Sequence, residues 1–449
     1  MERGEIILTY QDYLTANDRE AFISRLGPAH EPEEMTKTAR IADLYDRQRN
    51  ATVNEFARKM YSLSGRPIRD FTSSNFRIAS GFFSRLNTQR VTYSLGNGVT
   101  FSGPDVKEKL GADFDTRLFE AGRLSLIHGV SFLFFNVDRT HVFPLTEFAP
   151  LYDEETGALR AGLRYWRVDE KKPLRACLYR EDGCVRLRET ARGLAPAEEV
   201  LPYRLRISAG GEILGGENYP ALPVVPLWGS RMRQSTLVGM RQAIDSFDLI
   251  RSGFANDLTD CAEIYWLLEN YGGMTDDELA RFRDRLKLQH IAVLDTGGEG
   301  RLTPFAQSVP HEARMAYLSH IRAGLYEDFG ALDVAQLSSG RRTATEIEAA
   351  YQPMDEQADD FEYQVIEAVQ RLLALLGIRD TPLFKRNRVA CWQDEAEILL
   401  KEAPYLDAET LLFKLPNLTP EEANAVLARR AEKPSPARRA DEAAPCTTT

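Results

Sequence analysis

The stretch Ser235–Leu268, STLVGMRQAIDSFDLIRSGFANDLTDCAEIYWLL, decides the fold. Leu237, Met240, Ile244, Phe247, Phe254, Leu258, Cys261, Tyr265 and Leu268 recur at three-four spacing, with Arg251 taking one slot. That spacing lays one apolar stripe along a helix and calls for a packing partner. A second stretch, Thr343–Gly377, TATEIEAAYQPMDEQADDFEYQVIEAVQRLLALLG, repeats it without a gap through Ile347, Tyr351, Met354, Ala358, Phe361, Val365, Ala368, Leu372 and Leu375. Thr343-Ala344-Thr345-Glu346 has the form of a capping box, Pro353 should kink or split the helix, and Gly377 ends it. Both stripes read as core that subunits could share.

Between the two stretches lies an insert of alternating signals. Tyr271-Gly272-Gly273-Met274 ends the first helix, and Thr275 caps a short one from Asp276 to Leu288. Ile291–Leu294 and Arg301–Phe305 read as strands around the turn Gly297–Gly300. Pro310, as the first helical residue, opens a returning helix to about Asp328. A loop from Phe329 to Arg342 follows, holding the polar run Gln336-Leu337-Ser338-Ser339-Gly340. A helix pair interrupted by a small insert suggests a rod that projects or lines something.

Upstream the pattern is α+β. Glu33–Tyr61 reads as helical, and Thr72–Asn75 offers caps for a helix reaching Thr92. Asn97-Gly98 signals a hairpin turn between short strands. Asp113–His128 is an amphipathic helix that runs into the β-prone Gly129–Phe135. Strands continue at His141–Phe143, Leu159–Val168, Ala176–Arg180, Cys184–Arg188 and Pro223–Leu227, and helix and strand do not alternate as in a βαβ chain. Downstream, Phe384–Trp392 is strand-like, Glu395–Glu432 is helical with breaks at prolines, and the tail after Pro434 reads as disordered.

Composition bounds the function. With 449 residues the chain can hold two to four domains. No apolar run reaches the length of a membrane span, and Met1-Glu2-Arg3-Gly4 lacks the layout of a secretory leader. The five cysteines lie apart without a CxxC pair, which suits a reducing compartment. A net charge of −11 argues against gripping nucleic acid by neutralising phosphates. No phosphate loop, nucleophile elbow or HExxH occurs, and the six histidines show no ligand spacing, so no catalytic residue, metal site or cofactor is expected. The acidic group Asp355, Glu356, Asp359, Asp360 and Glu362 reads as a solvated helix face rather than a metal site.

Several stretches, taken in order, resemble the portal proteins of tailed double-stranded DNA bacteriophages, in particular the SPP-one-like group. They are Tyr93–Gly98, Ser125–Leu133, Pro150–Gly157 followed by Leu163–Trp166, Phe247–Asp257, and Ser339–Ile347. One departure is His128-Gly129-Val130, where Gly-Glu-Ala is more usual in that group. The resemblance spans about residues 33 to 430. It implies a mainly helical α+β portal fold whose subunits form a ring, usually of twelve, at one capsid vertex. Residues 1–230 and 343–394 would form a wing, 231–265 and 310–328 the stem helices, 266–309 the clip, 329–342 the tunnel loop and 395–433 a short crown, with 434–449 a disordered tail.

The same resemblance implies partners and sites. The ring would pass double-stranded DNA without sequence preference. It would dock the packaging ATPase (the terminase large subunit) and later the head–tail adaptor, and meet the major capsid and scaffolding proteins, but no membrane. It would assemble in the host bacterial cytoplasm, from a phage or prophage genome, and end in the virion. The DNA-facing loop would present Val334, Gln336, Leu337, Ser338, Ser339, Gly340, Arg341 and Arg342; the two arginines would either touch phosphates or pair with acidic neighbours. Asp276, Asp277, Arg281, Arg285 and Lys287 would meet partners on the clip.

Charge fits a conduit. Glu346, Glu348, Asp355, Glu356, Asp359, Asp360, Glu362 and Glu367 against Arg371 give the long helix −7. Of these, Glu348, Asp355, Asp359 and Glu362 are the expected channel-side acids, placed to repel a duplex. A reading from another class, a cytoplasmic oligomeric coiled-coil scaffold with an α+β head, explains the two stripes but not the insert. Images of the purified protein would separate rings from rods.

Overall fold

The computed structural model describes residues 8–27, 34–55, 59–61, 65–69, 74–103, 105–169, 171–191, 193–211, 213–260, 265–269, 275, 277–278, 281, 301–305, 310–337, 344–388, 399, 401, 403–415, 418 and 420–432. The chain opens with α1 (Tyr10–Thr15), α2 (Arg19–Leu26), α3 (Glu34–Asp46), α4 (Ala51–Glu55), β1 (Lys59–Tyr61), β2 (Pro67–Arg69), α5 (Phe82–Leu95), β3 (Val99–Thr100), α6 (Val106–Leu110) and α7 (Phe114–His128). Then come β4 (Val130–Asn136), β5 (Arg139–Pro144), β6 (Phe148–Tyr152), β7 (Leu159–Trp166), β8 (Arg175–Arg180), β9 (Gly183–Thr190), β10 (Gly193–Pro196), β11 (Arg204–Ile207), β12 (Ile213–Glu217) and β13 (Val224–Trp228). The last part holds α8 (Leu237–Asp260), β14 (Tyr265–Glu269), β15 (Arg301–Phe305), α9 (His311–Phe329), α10 (Val334–Leu337), α11 (Ala344–Leu375), β16 (Leu383–Phe384), α12 (Ala408–Lys414) and α13 (Pro420–Glu432).

Every strand pairing among the described residues is antiparallel, so the fold is α+β. The run Val130–Phe135 is apolar or small without alternation because β4 lies between β13 and β5 and is buried on both faces. Gly129 makes the turn from α7 into β4 at φ +91, where a side chain would collide with the backbone of Gln234 and Ser235. The second sheet runs β10-β9-β8-β7-β6 and separates two cores. On one face Cys177 and Tyr179 join Phe134, Phe143 and Tyr203, with Phe134 and Tyr179 rings 4.8 Å apart. On the other, Leu163, Leu178 and Leu187 pack on Tyr13, Phe22 and Ile23 of α1 and α2.

The stripe of α11 is filled by this chain itself. Phe361, Val365, Ala368 and Leu372 are buried in the first core beside β13, and Tyr351, Met354 and Ala358 form a small core with Tyr93. The expectation that this stripe is shared between subunits is therefore corrected. The helix also passes through Pro353 undivided.

α8 and α9 begin and end in a third core, where Leu237, Met240 and Ile244 meet Leu325, Tyr326 and Phe329. Away from that core the pair is held by Arg314 and Asp257, 2.5 Å apart. Residues 311–320 are mostly exposed, and so are Leu258, Met315 and Tyr317. α8 stops at Asp260; Tyr265 and Leu268, expected on the helix, lie in β14 and pair with Phe305 and Leu302 of β15. Pro310 is the N-cap of α9 rather than its first residue.

A polar stripe runs beside the apolar one on α8. Asp248, Ser252 and Asn256, four residues apart, are buried and accept the backbone N–H groups of Ser80 (2.9 Å), Ile78 (2.9 Å) and Phe76 (2.6 Å). Four helical residues rise about 6.0 Å. Two extended residues span about 6.6 Å, so the two periods keep step. This explains why Ser74 and Asn75 cap no helix; Thr72 and Ser73 lie outside the described residues. The amides from 76 to 80 are held in an extended path, and α5 begins only at Phe82. Asp248 also accepts from Asn50 Nδ2 at 2.9 Å. Asp245, one turn back, accepts from Tyr45 (2.5 Å) and Thr52 (3.0 Å).

Other expectations shift for local reasons. Glu33–Tyr61 is not one helix: α3 ends before Gln48, whose φ is +56, and α4 restarts at Ala51. Asn97-Gly98 joins α5 to β3, and β3 pairs with the distant β16, so the turn makes no hairpin. The strand expected to reach Trp392 is only Leu383–Phe384, with 389–398 outside the described residues. Ile291–Leu294, Gly297–Gly300 and the tail after Pro434 are also outside them. Among the described residues no helix is long and apolar enough to cross a membrane.

Removing the stripe tests its role. Asp248→Ala strands the buried Ser80 N–H and the Asn50 amide, and should cost about 2–3 kcal/mol in urea denaturation. Burial raises the Asp248 carboxyl above its ordinary value, against the hydrogen bonds from Asn50 and Ser80. A raised native value means the folded state binds this proton more tightly. The group therefore stabilises most below the unfolded carboxylate value, about 3.9, and loses that as pH rises through its native value. Unfolding free energy of wild type minus that of Asp248→Asn should grow as pH falls from 7 to 4; a flat difference would count against a desolvated carboxylate.

Candidate functional site

α5 fixes the place where α9 hands over to α10. Gly330 ends α9 in the left-handed conformation at φ +63, and a side chain there would press on Gln357 and the Pro353 carbonyl. Arg90 of α5, almost fully buried, donates to the Phe329 carbonyl at 2.5 Å and lies 4.0 Å from the centre of its ring. A cation at a helix C-terminus is favoured by the helix dipole. Burial lowers the Arg90 guanidinium to about 10, against the attraction of Asp360, so it stays charged at neutral pH. Gln89 donates to the Leu332 carbonyl at 3.0 Å, and Arg322 pairs with the covered Asp333 at 2.9 Å. Asp333 in turn accepts the Ala335 N–H at 3.1 Å, which starts α10.

The expected DNA-facing residues begin on this anchored root. Val334 is exposed at the start of α10, beside a groove of about 700 Å³ lined by Arg85, Gln89, Arg322, Tyr351 and Asn387. The backbone of Gln336 and Leu337 continues α10. Ser338, Ser339, Gly340, Arg341 and Arg342 lie outside the described residues.

The expected acidic face is not an array of free charges. Asp355, Asp359 and Glu362 share one side of α11, and two arginines after β16 close on them. Arg386 bonds Asp355 (2.8 Å) and Asp359, and takes Glu362 with two nitrogens, at 3.0 and 2.9 Å. Arg388 reaches Asp355 at 2.6 Å and Tyr93 Oη at 2.9 Å. Tyr93 donates to Asp355 at 2.6 Å and stacks on Tyr351. Burial and then the Asp355 hydrogen bond push the Tyr93 hydroxyl up to about 12, keeping it a donor. Burial would raise Asp355, but hydrogen bonds from Tyr93, Arg388 and Arg386 outweigh it and hold the carboxyl below its usual range. The bonds to Glu362, then Asp359, hold the Arg386 proton more tightly than usual although burial opposes them. Of the four channel-side candidates, Glu348 remains simply exposed. The solvated-face reading is thus corrected for Asp355 and Glu362, which are largely covered and held by charge-assisted hydrogen bonds, whereas Asp359 bonds Arg386 while staying mostly exposed.

In the insert, Thr275 donates its backbone N–H and hydroxyl to Glu278, each at 3.0 Å, as a helix start requires. Asp277 and Arg281 are exposed, while Asp276, Arg285 and Lys287 lie outside the described residues. Among the described residues no three His, Cys, Asp or Glu side chains gather as metal ligands. Arg90, Arg386 and Arg388 were not singled out from sequence, and Tyr93 entered only as the start of the stretch Tyr93–Gly98. Arg386 and Arg388 lie just after β16, where the Arg388 N–H bonds the Arg386 carbonyl at 3.1 Å, so a tight turn rather than strand alternation brings both to the acids.

The clasp is open to test. Arg386→Gln leaves three carboxylates facing one another and should cost about 1–3 kcal/mol, since the groups are only partly screened by solvent. Tyr93→Phe should cost about 1 kcal/mol. A double-mutant cycle between Arg386 and Glu362 in urea denaturation should return a coupling, and additive effects would show that the pair does not interact in solution.

Residues 28–433 match the family described as phage portal protein, SPP1 Gp6-like. The portal protein of Bacillus phage SPP1 is 24% identical over 384 residues, covering 81% of this chain and 73% of that protein. The portal protein of Clostridium phage phiCD119 is 24% identical over 202 residues, covering 43% of this chain and 45% of that protein. The chain belongs to the phage portal protein family.

Proposed function

We propose that this member of the phage portal family forms a closed ring of twelve copies at one capsid vertex, through which double-stranded DNA enters during packaging and leaves at ejection. The observation that carries the reading is the projecting pair α8–α9. It starts in the third core, α8 stays packed on residues 76–80 as far as Asn256, and the outer end is followed by the ladder of β14 and β15. The large apolar residues Leu258, Met315 and Tyr317 are exposed on that pair, whereas the stripe of α11 is buried within its own chain. Exposed apolar positions on a projecting rod fit contacts between copies in a closed ring. The burial of α11 also removes the main support for a coiled-coil scaffold.

In this reading 231–265 and 310–328 are the stem, and 266–309 is the clip that docks the packaging ATPase and later the head–tail adaptor. Residues 1–230 and 343–394 are the wing facing capsid and scaffolding proteins, 329–342 is the tunnel loop, and 395–433 is the crown. A net charge of −11 suits a passage that must let phosphates slide. The anchored root of the loop, held by Arg90, Gln89 and Arg322, lets the residues beyond it meet a moving duplex while α9 and α11 stay in place.

Native mass spectrometry and negative-stain images should find rings with a central hole; monomer alone across micromolar concentrations would overturn the assembly. Replacing Arg341 and Arg342 by Glu should leave rings intact and lower packaged DNA per capsid, more so at low salt. Wild-type yields from verified rings would remove these two residues from the passage.

A further inference from the structure

The face of the five-stranded sheet that carries Cys177 and Tyr179 extends past the first core as an array of arginines. Arg175 of β8 stands directly opposite Arg188 of β9. Two residues along, Arg186 of β9 stands opposite Cys177, which on its other side faces Arg164 of β7. Alternation along each strand puts 175 with 177, and 186 with 188, on this one face. Arg175, Arg186 and Arg188 are exposed. Arg164 is partly covered, with its guanidinium 4.2 Å from the centre of the Phe143 ring and 4.8 Å from that of Trp166. The two rings hold it at the inner edge of the array.

The array is poorly compensated. Glu147 is 3.9 Å from Arg164 and Glu198 is 3.7 Å from Arg186, loose contacts of a kind that contributes little. Among the described residues no carboxylate pairs with Arg175 or Arg188. The stretch Asp169-Glu170-Lys171-Lys172, between β7 and β8, adds no net charge. Like charges directly opposite each other destabilise a ladder, so the fold gains nothing from setting Arg175 against Arg188. His141 of β5 senses the same field: burial first, then Arg164, Arg139 and Arg117, hold its imidazole below the ordinary value. In a chain with a net charge of −11 this face is a local reversal of sign.

We propose that the arginine face of β8 and β9 is a second contact surface for double-stranded DNA, separate from the residues after α10, which holds backbone phosphates without reading sequence. Guanidinium forks suit phosphate oxygens, and contacts of this kind position a duplex without selecting its bases. Side chains directly opposite on a ladder are about 5 Å apart, and those two along a strand about 6.6 Å, so three exposed cations sit within reach of one stretch of backbone. Arg175, Arg186 and Arg188 give the face charge where a protein partner would need an apolar centre. The proposal rests on the reading that this protein meets duplex DNA, but not on the ring, because one copy carries the whole array.

The test uses the full chain and a labelled duplex of about 20 base pairs, read by fluorescence anisotropy between about 50 and about 200 mM salt. Arg175→Gln together with Arg188→Gln should weaken binding about tenfold or more at the lower salt, and should flatten the slope of log K against log salt by about 2. The urea midpoint of this variant should match or exceed that of wild type, because an opposed pair of like charges is gone. Arg160→Gln together with Arg206→Gln removes the same charge from arginines paired elsewhere, with Glu181 and Glu217, and should bind as wild type does. Unchanged binding in the first variant, an equal loss in the second, or a loss that follows a lowered urea midpoint would each overturn the proposal. So would capture of poly-glutamate in preference to the duplex, which would mark the face as a site for an acidic protein. Rings that package DNA normally while the first variant binds duplex as wild type does would leave the passage standing and remove this surface.

Discussion

Buried backbone must find partners, and the segment from Ser74 to Ser80 finds them neither in a helix nor in a sheet. It finds them on α8, where Asp248, Ser252 and Asn256 offer one acceptor for every second amide. Much of the structure depends on this match of periods. It fixes where α5 can start, and α5 then supplies Gln89 and Arg90 to the end of α9 and Tyr93 to the arginine clasp. A single stripe of three side chains thus sets the position of both sites that lie downstream.

The charge of α11 has a different meaning in the fold than in a count along the chain. Eight acids against one base within the helix suggest a repulsive wall. In space, Arg386 and Arg388 arrive from beyond the helix and neutralise much of one side, and Arg231 pairs with Asp360 at 3.0 Å on another. On α8, Asp245 and Asp248 are spent on Tyr45, Thr52, Asn50 and Ser80, and Asp257 on Arg314. An acidic helix in this protein is thus mostly a set of structural acceptors, with residues such as Glu348 left to face water.

Period carried the sequence reading furthest. Three-four spacing located α7, most of α8 and α11, the helix-opening Pro310 located α9, and the unalternating run after Gly129 located β4. It failed where a residue has two compatible patterns: Tyr265 and Leu268 continue the helical count of α8 yet belong to a ladder closed by residues far along the chain. The capping signal failed too at Ser74 and Asn75, because the amides that follow them are already claimed by α8. Of the candidate site, the position of Val334 and the acids of α11 were visible, but their partners were not. Arg90 and Tyr93 look like ordinary helix residues until the third dimension brings Phe329 and Asp355 to them.

The ladder of β14 and β15 has an evolutionary consequence. Its five pairs, from Tyr265–Phe305 to Glu269–Arg301, hold both ends of residues 270–300 at a fixed separation. Closing a chain between fixed ends costs only about 0.6 kcal/mol more for each doubling of its length. Selection can therefore lengthen, shorten or exchange what lies between the two strands while α8 and α9 keep their geometry. The ladder makes the interval a graft point, where a lineage can exchange one inserted segment for another without re-solving the rest of the fold.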